Sequence, residues 1–163
     1  MALPQVQPVI KTATMARDRF VFGLDKVPDD KLSWSPGGEA KTPLQLAGSV
    51  EGVMAFLTHL LTTGTMPENR GQRPPAPETR DDAKARVTQA IDGLVTLVEG
   101  ASEADLQKPV QVPWGGTVPA VEMMFGATNV LAYFQGQLNY LQTVYGDMEP
   151  NIPPSWLQNR DQY

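Results

Sequence analysis

The chain has 163 residues, no cysteine, and a net charge of −5 from 13 basic and 18 acidic residues. This length predicts one domain with a sizeable core. The absence of cysteine excludes disulfides and thiolate chemistry, and the acidic balance without a basic cluster predicts no nucleic-acid partner. Residues 1–20 do not resemble a secretory signal, and no stretch reaches the roughly 18 apolar residues of a membrane span. We therefore expect a soluble, cytoplasmic protein with no membrane partner.

Two helices are predicted in the first half of the chain. Apolar residues recur at three- and four-residue spacing over residues 9–27, which is typical of one buried helical face. The second helix, over about residues 43–61, has a well-marked start, because Thr42 can act as N-cap and Gln45 can complete a capping box. Residues 62–79 are rich in Thr, Gly and Pro and are predicted to form a surface crossover.

Two more helices are predicted in the second half. The third begins near Thr79, and Gly100 suits its C-terminal cap. Residues 101–118 are predicted to be a long irregular connection, because they lack a sustained apolar period. The fourth helix follows over about residues 119–145.

Together the four amphipathic segments predict an all-α fold, an up-down four-helix bundle with long crossover loops. The bundle is expected to form a single domain over residues 1–163, with residues 147–163 as an irregular C-terminal tail. The sequence contains no internal repeat, dinucleotide-binding glycine motif or phosphate-binding loop. Any function must therefore come from residues within or around the bundle.

Residues 129–140 carry the most specific resemblance to a known family. They read NVLAYFQGQLNY, which is similar to the last helix of the DinB-like (DinB/YfiT) four-helix-bundle metalloenzymes. In that family the helix typically reads His-x-x-Tyr-His-x-Gly-Gln, and both histidines hold a divalent metal. Here the histidine positions carry Val130 and Phe134. The positions that match the pattern are Tyr133, Gly136 and Gln137.

The family's third histidine lies on the second helix, seven residues after the Ser or Thr that starts it. In this chain the count from Thr42 reaches Ser49, so all three metal ligands expected from the resemblance are replaced. Other segments resemble the family in the same order: KLSWSP (31–36), VPWGGTVPAVEMM (112–124) and YLQTVYGDM (140–148). The resemblance covers nearly the whole chain and implies a DinB-like bundle without the family's metal site.

Other polar residues are poor substitutes for the lost ligands. The single histidine, His59, lies ten residues beyond Ser49 on another part of the helix and is expected to be partly exposed. Glu51 points to a different face from Ser49. Glu122 lies near the start of the fourth helix, where a solvated carboxylate interacts favourably with the helix dipole. The sequence therefore predicts no bound metal and no cofactor.

The former metal position is the candidate ligand-binding site, because an apolar pocket with a few polar groups suits a small molecule. The apolar replacements favour a second interpretation. Val130 and Phe134 lie four residues apart on one helical face, and in this interpretation Phe134 is ordinary core that fills the cavity. Gly136 is expected to let its helix approach a neighbour closely. The candidate site residues are Ser49, Val130, Tyr133, Phe134 and Gln137.

These observations predict a metal-free, catalytically inactive protein that acts as a small-ligand-binding or interaction module. The resemblance implies a homodimer, as relatives often form one. It also implies an alternative, because family members with intact histidines are metal-dependent enzymes, some of them thiol-dependent transferases. The alternative is a transferase or hydrolase that uses a metal-independent pocket between the helices. Nucleophilic catalysis has weak support, since Ser49 has no histidine partner and no GxSxG motif occurs.

Overall fold

The computed structural model describes residues 2–68 and 74–158. Four long helices build the protein, namely α1 (Gln7–Lys26), α2 (Pro43–Thr63), α3 (Arg80–Glu99) and α5 (Ala120–Val144). The shorter elements are α4 (Glu103–Gln107), β1 (Pro109–Gln111), β2 (Thr117–Pro119) and α6 (Pro154–Gln158). The predicted all-α four-helix bundle with long crossovers is confirmed.

Each long helix packs against two others, and α1 and α2 both contact α3 and α5. α1 runs antiparallel to α3, because Asp25 near the end of α1 pairs with Lys84 near the start of α3 at 2.6 Å. α1 runs in the same direction as α5, because Lys26 at the end of α1 lies 3.5 Å from Asp147, just beyond α5. These contacts fix the directions of three of the four helices.

α2 and α3 also run in the same direction. A Cβ built on Gly48, near the start of α2, would lie 3.2 Å from Pro77, just before α3. The order of directions is therefore up, down, down, up, which differs from the alternating up-down order expected from the sequence. The connection between α2 and α3, described over residues 64–68 and 74–79, must return along the bundle, which explains its length.

The start of α2 forms as predicted. Thr42 accepts a hydrogen bond from the backbone N–H of Gln45, and the Gln45 side chain accepts one from the backbone N–H of Thr42. This capping box satisfies two donors that the helix itself leaves unpaired. It also fixes the phase of the first turns of α2, and hence the direction of Ser49.

The prediction that residues 101–118 are irregular is wrong. α4 begins with a second capping box, in which Ser102 and Asp105 each bond the other's backbone N–H. β1 and β2 pair antiparallel, but each has only three residues, too few for period-two alternation to appear in the sequence. The hairpin covers the end of α2, where the Gln111 N–H donates to the Gly64 carbonyl at 3.0 Å.

The core fills the space between the four long helices, and α2 lies at its apolar centre. By length and composition α2 could also cross a membrane, but 50% of that stretch is buried inside the bundle. The core helix of a soluble protein passes the same test, so this is weak support for a membrane span. The largest fully buried side chains include Phe20, Leu24, Leu46, Met54, Leu60, Ile91, Leu94 and Leu138.

The described part of the C-terminal tail, residues 147–158, packs on α1 and α5. Asn151 is buried, and its side-chain amide donates to Asn139 Oδ1 at 2.8 Å. The Arg19 guanidinium donates to the Asn151 carbonyl at 3.2 Å. The predicted irregular tail therefore contains a helix, α6, and is attached to the bundle by polar contacts; residues 159–163 lie outside the described residues.

Candidate functional site

Ser49 lies on the second turn of α2 and is buried, with 7% of its surface exposed. Its hydroxyl donates to the Gln45 carbonyl one turn earlier at 2.8 Å, as helical serines commonly do. The same hydroxyl accepts a hydrogen bond from the Lys41 ammonium at 2.7 Å. Ser49 thus holds the charged end of a lysine from the loop before α2.

Phe134 approaches the same ammonium from α5. The Lys41 Nζ lies 5.6 Å from the centroid of the Phe134 ring, within the range of a cation–π contact. Phe134 is 5% exposed, and the Tyr133 ring meets it edge-on with centroids 5.4 Å apart. The structure therefore brings Ser49 and Phe134 to one ammonium group, where α2 and α5 pack together.

The other candidate residues surround this contact in different ways. Val130 is half-buried and packs against the core one turn before Phe134. Tyr133 is 65% exposed and Gln137 is half-buried. The expected close approach at Gly136 is wrong, because nothing lies within 4 Å of the position its Cβ would take. Gly136 is exposed, so this side of α5 faces away from the other helices.

Lys41 lies at the end of a structured loop that precedes α2. Ser35 Oγ donates to the Ala40 carbonyl at 2.7 Å and accepts from the Gly37 N–H at 3.1 Å. Gly37 has a φ of 110°, a left-handed conformation that favours glycine. These contacts close the loop on itself.

Trp34 attaches the beginning of the same loop to α5. Its ring meets the Tyr145 ring edge-on, with centroids 5.4 Å apart, and the Lys31 Nζ lies 5.5 Å from the Trp34 centroid. Burial raises the pKa of Tyr145 to about 12, so this phenol stays protonated at neutral pH. The loop is therefore fixed at both ends, by Trp34 on α5 and by the Thr42 cap on α2.

Two clefts flank this loop, and both include Lys41 in their walls. The α2 cleft has a volume of about 390 Å³, and the α5 cleft has a volume of about 320 Å³. Outside the loop, the α2 cleft is lined by Gln45, Gly48, Ser49, Pro74 and Ala76. The α5 cleft is lined by Leu46, Tyr133, Gln137, Tyr140 and Leu141. Three candidate residues, Ser49, Tyr133 and Gln137, thus line space that a small molecule can enter.

The residues at this position do not fit a divalent metal. Ser49 offers one hydroxyl, Val130 and Phe134 offer no ligand atom, and the Lys41 ammonium adds a positive charge. Catalytic divalent sites need about three His, Cys or carboxylate ligands, and a neighbouring cation repels the ion. Within residues 2–68 and 74–158, no group of three or more His, Cys, Asp or Glu side chains could hold a metal.

The polar residues considered as substitute ligands lie elsewhere. Glu51 pairs with Arg86 of α3 at 3.5 Å, on the side of α2 that faces α3. Glu122 is exposed on the first turn of α5, and His59 is half-buried two turns beyond Glu51. None of these side chains is brought to Ser49 and Phe134.

Lys41 is the functional candidate that the sequence does not reveal directly. It stands just before the N-cap Thr42 and reads as an ordinary loop residue, with no spacing that relates it to Phe134. A chemical signal was nevertheless present. Lys41 is the basic residue nearest to Ser49 in the sequence.

No known family profile matches the sequence, and no curated protein matches it significantly. Similarity appears in the three-dimensional structure. A DinB-like protein from Bacillus subtilis, YjoA, matches with a TM-score of 0.71 at 14% identity, over 88% of this chain and 95% of that chain. Mycothiol-dependent maleylpyruvate isomerase matches with a TM-score of 0.64 at 18% identity. That match covers 83% of this chain, which spans only 61% of the isomerase chain. At these identities the likeness establishes the architecture alone: this chain has the DinB-like fold.

Proposed function

We propose that this protein binds a small molecule beside Lys41 and does so without a metal. The observation that carries the proposal is the position of the Lys41 ammonium, 2.7 Å from Ser49 Oγ and 5.6 Å from the centroid of Phe134. Ser49 and Phe134 occupy two of the positions at which the sequence resemblance expects histidine ligands. A side-chain cation therefore takes the place of the metal in this scaffold.

The burial of Phe134 supports a ligand site on the loop side of the former metal position. Its ring is buried where α2 and α5 pack together, and two clefts lie around residues 38–41. Both clefts combine apolar walls with a few polar groups, a composition typical of small-molecule sites. The two interpretations of the sequence are then compatible, because Phe134 fills the core and the clefts beside it receive the ligand.

The proposal is tested by amide NMR of the intact chain with a library of small neutral, anionic and cationic compounds. We expect binding compounds to shift resonances of residues 36–41 together with those of α2 or α5 residues that line the clefts. We also expect a chelator to leave the melting temperature unchanged. The proposal is contradicted if the purified protein carries a stoichiometric zinc or nickel ion, or if no compound shifts the cleft resonances.

A second candidate function is hydrolysis through Ser49, and one distance favours it. The 2.7 Å contact pairs a hydroxyl with a lysine amine, and such a pair can activate a nucleophile when the amine is the proton acceptor. In this structure the Ser49 proton instead goes to the Gln45 carbonyl. Labelling with a fluorophosphonate separates the two functions: we expect no adduct, and a covalent adduct on Ser49 would establish the hydrolase.

A further inference from the structure

We infer that a second copy of this chain packs on the outward face of α5, through an antiparallel contact between the two α5 helices. This inference goes beyond the proposed function, because it concerns the surface of one helix and the oligomeric state of the protein. It follows from the composition of that face, from the order of its residues and from its area.

The outward face of α5 carries almost no charge. Glu122, in the first turn, is the only charged residue of the helix, and residues 123–146 contain none. By contrast, α3 carries charged residues from Arg80 to Glu99. A helix that faces water normally places charged residues on that side. Beyond Glu122, the exposed residues of α5 follow one side of the helix at three- or four-residue spacing, and they are Phe125, Asn129, Ala132, Tyr133, Gly136, Tyr140, Thr143 and Val144.

The large side chains on this face are of the types that protein interfaces favour. Four of them, on the helix or just beyond it, are 42% to 78% exposed, namely Phe125, Tyr133, Tyr140 and Met148. Phe, Tyr and Met are enriched in the buried centres of interfaces, where charged residues are depleted. Gly136 lies among them, and nothing is within 4 Å of the position that its Cβ would take. A second helix can therefore approach α5 closely at Gly136.

The order of these residues makes the face complementary to itself under a twofold axis. Tyr133 and Tyr140 lie at equal distances along the sequence from the peptide bond that follows Gly136, and so do Phe125 and Met148. A twofold axis at that bond reverses one helix against the other and brings Tyr133 to Tyr140 of the partner subunit. It also brings Phe125 towards Met148 of the partner subunit. Aromatic pairs and sulfur–aromatic contacts are both favourable, so symmetry favours a second copy over a different partner.

The exposed area is sufficient for a dimer of modest affinity. Side chains of this size bury about 150–250 Å² each, so the exposed fractions of these four leave roughly 500 Å² of apolar surface on each copy. Two copies together can bury about 1,000 Å², near the lower bound for a specific interface. We therefore expect a dimer that dissociates on dilution.

The first test measures the oligomeric state of the intact chain by analytical ultracentrifugation. We expect a dimer of two 17.8 kDa chains. Tyr140→Glu should weaken dimerisation about a hundredfold or more, because each copy brings an unpaired charge into the contact. Adding Tyr133→Lys to Tyr140→Glu should recover most of the affinity, since antiparallel pairing brings the two new charges together across the axis. Ala85→Glu is the matched control, because Ala85 is exposed on α3, and it should leave the dimer unchanged.

The second test locates the axis by cross-linking. The chain has no cysteine, so Gly136→Cys carries a single thiol beside the proposed axis. With oxidised glutathione it should form a disulfide-linked dimer on a non-reducing gel, because the two substituted residues face each other across the axis. Gly93→Cys is the matched control, since Gly93 is also an exposed helical glycine with nothing within 4 Å of its Cβ position. It should remain uncross-linked.

Each failure has a distinct meaning. A wild-type chain that is monomeric at every concentration overturns the inference, and so does a dimer that Tyr140→Glu leaves unchanged. A double variant no tighter than Tyr140→Glu overturns the antiparallel pairing. If Tyr140→Glu does not fold, the two cysteine variants decide the matter, and equal cross-linking in both overturns the inference. Tyr133 and Tyr140 also line the α5 cleft, but none of these measurements contains a ligand, so their failure is distinguishable from failure of the proposed function.

Discussion

Two clefts of similar size lie against α2, and they differ in what lines them. The α5 cleft, about 320 Å³, joins Lys41 to two tyrosines, whereas the groove between α2 and α3, about 400 Å³, joins Arg86 to small and polar side chains. The Arg86 guanidinium donates to the Asp82 carboxylate at 2.9 Å and lies 3.5 Å from Glu51. The Lys41 ammonium contacts the Ser49 hydroxyl and the Phe134 ring. The two clefts therefore have similar volumes and differ in the chemistry of their linings.

The largest expected effect is the cost of removing the aromatic base of the Lys41 site. Phe134→Ala should lower the free energy of unfolding by about 3–5 kcal/mol in urea titrations, because it leaves a cavity in a packed core. The control is Tyr133→Ala, an exposed neighbour, which should cost about 1 kcal/mol from the lost ring contact. A near-neutral Phe134→Ala would mean that the ring lines an open pocket rather than the core.

Introducing histidines at the three positions where the sequence resemblance expects metal ligands tests whether Lys41 stands where a metal would bind. Ser49→His, Val130→His and Phe134→His together should destabilise the protein without metal, because imidazoles replace apolar packing. Zinc at about 100 times its Kd should then restore about 2.7 kcal/mol.

The recovery of stability on adding zinc to the triple-histidine variant should depend on Lys41. Adding Lys41→Met to the three histidine substitutions should strengthen zinc binding, because it removes a repelling charge. Thermal melts with increasing zinc provide the measurement. If zinc gives no rescue with or without Lys41, then Ser49 does not correspond to the family's third ligand.

Separate substitutions of Arg86 and Lys41 distinguish an effect on ligand binding from an effect on the melting temperature. The Asp82 carboxylate, through its hydrogen bond, raises the pKa of Arg86. The guanidinium also joins α3 to the Pro75 carbonyl and to Glu51 of α2. Arg86→Met should lower the melting temperature and leave unchanged the binding of compounds that shift the cleft resonances. Lys41→Met should show the opposite pattern, with weaker binding and a smaller change in melting temperature. If the two variants behave alike, the comparison between the clefts fails.

The smallest expected effect concerns the segment that follows α5. The backbone N–H of Glu149 donates to the Asp147 carboxylate at 2.9 Å and lowers its pKa below the ordinary 3.8. A lowered pKa contributes stability that is present above pH 3.8 and is lost as the pH falls through the lowered value.

Asp147→Asn should therefore melt below wild type at pH 6, and the difference should shrink as the pH falls below 3.8. Because Asp147 does not line the α5 cleft, its substitution should leave the binding of the same compounds unchanged. A difference in melting temperature that is constant from pH 6 to pH 2, or a loss of binding, would contradict this assignment.

The sequence predicts what depends on local chemistry. The capping box at Thr42 and Gln45 involves neighbouring residues, so the start of α2 and the direction of Ser49 are readable from the chain. The four-residue spacing of Val130 and Phe134 likewise places them on one face of α5. The apolar periods of the four long helices are enough to predict the bundle.

What the sequence does not predict depends on tertiary contacts. Lys41 meets Phe134 only because the loop before α2 folds onto α5, and no local pattern records that approach. The β1–β2 hairpin is stabilised by its contact with the end of α2, and its strands are too short to show a period. Glycine is typical of positions where two helices pack closely. Whether Gly136 is such a position depends on which side of α5 the other helices occupy.

The most direct test of the central claim is the ¹⁵N resonance of the Lys41 ammonium, assigned by its disappearance in Lys41→Met. If this ammonium takes the place of the metal beside a ligand site, its resonance should shift on titration with a compound that binds in the clefts. The resonance should not change when EDTA or zinc is added to the wild-type protein. The account would be contradicted if the ammonium resonance does not shift with such a compound but shifts with one equivalent of zinc.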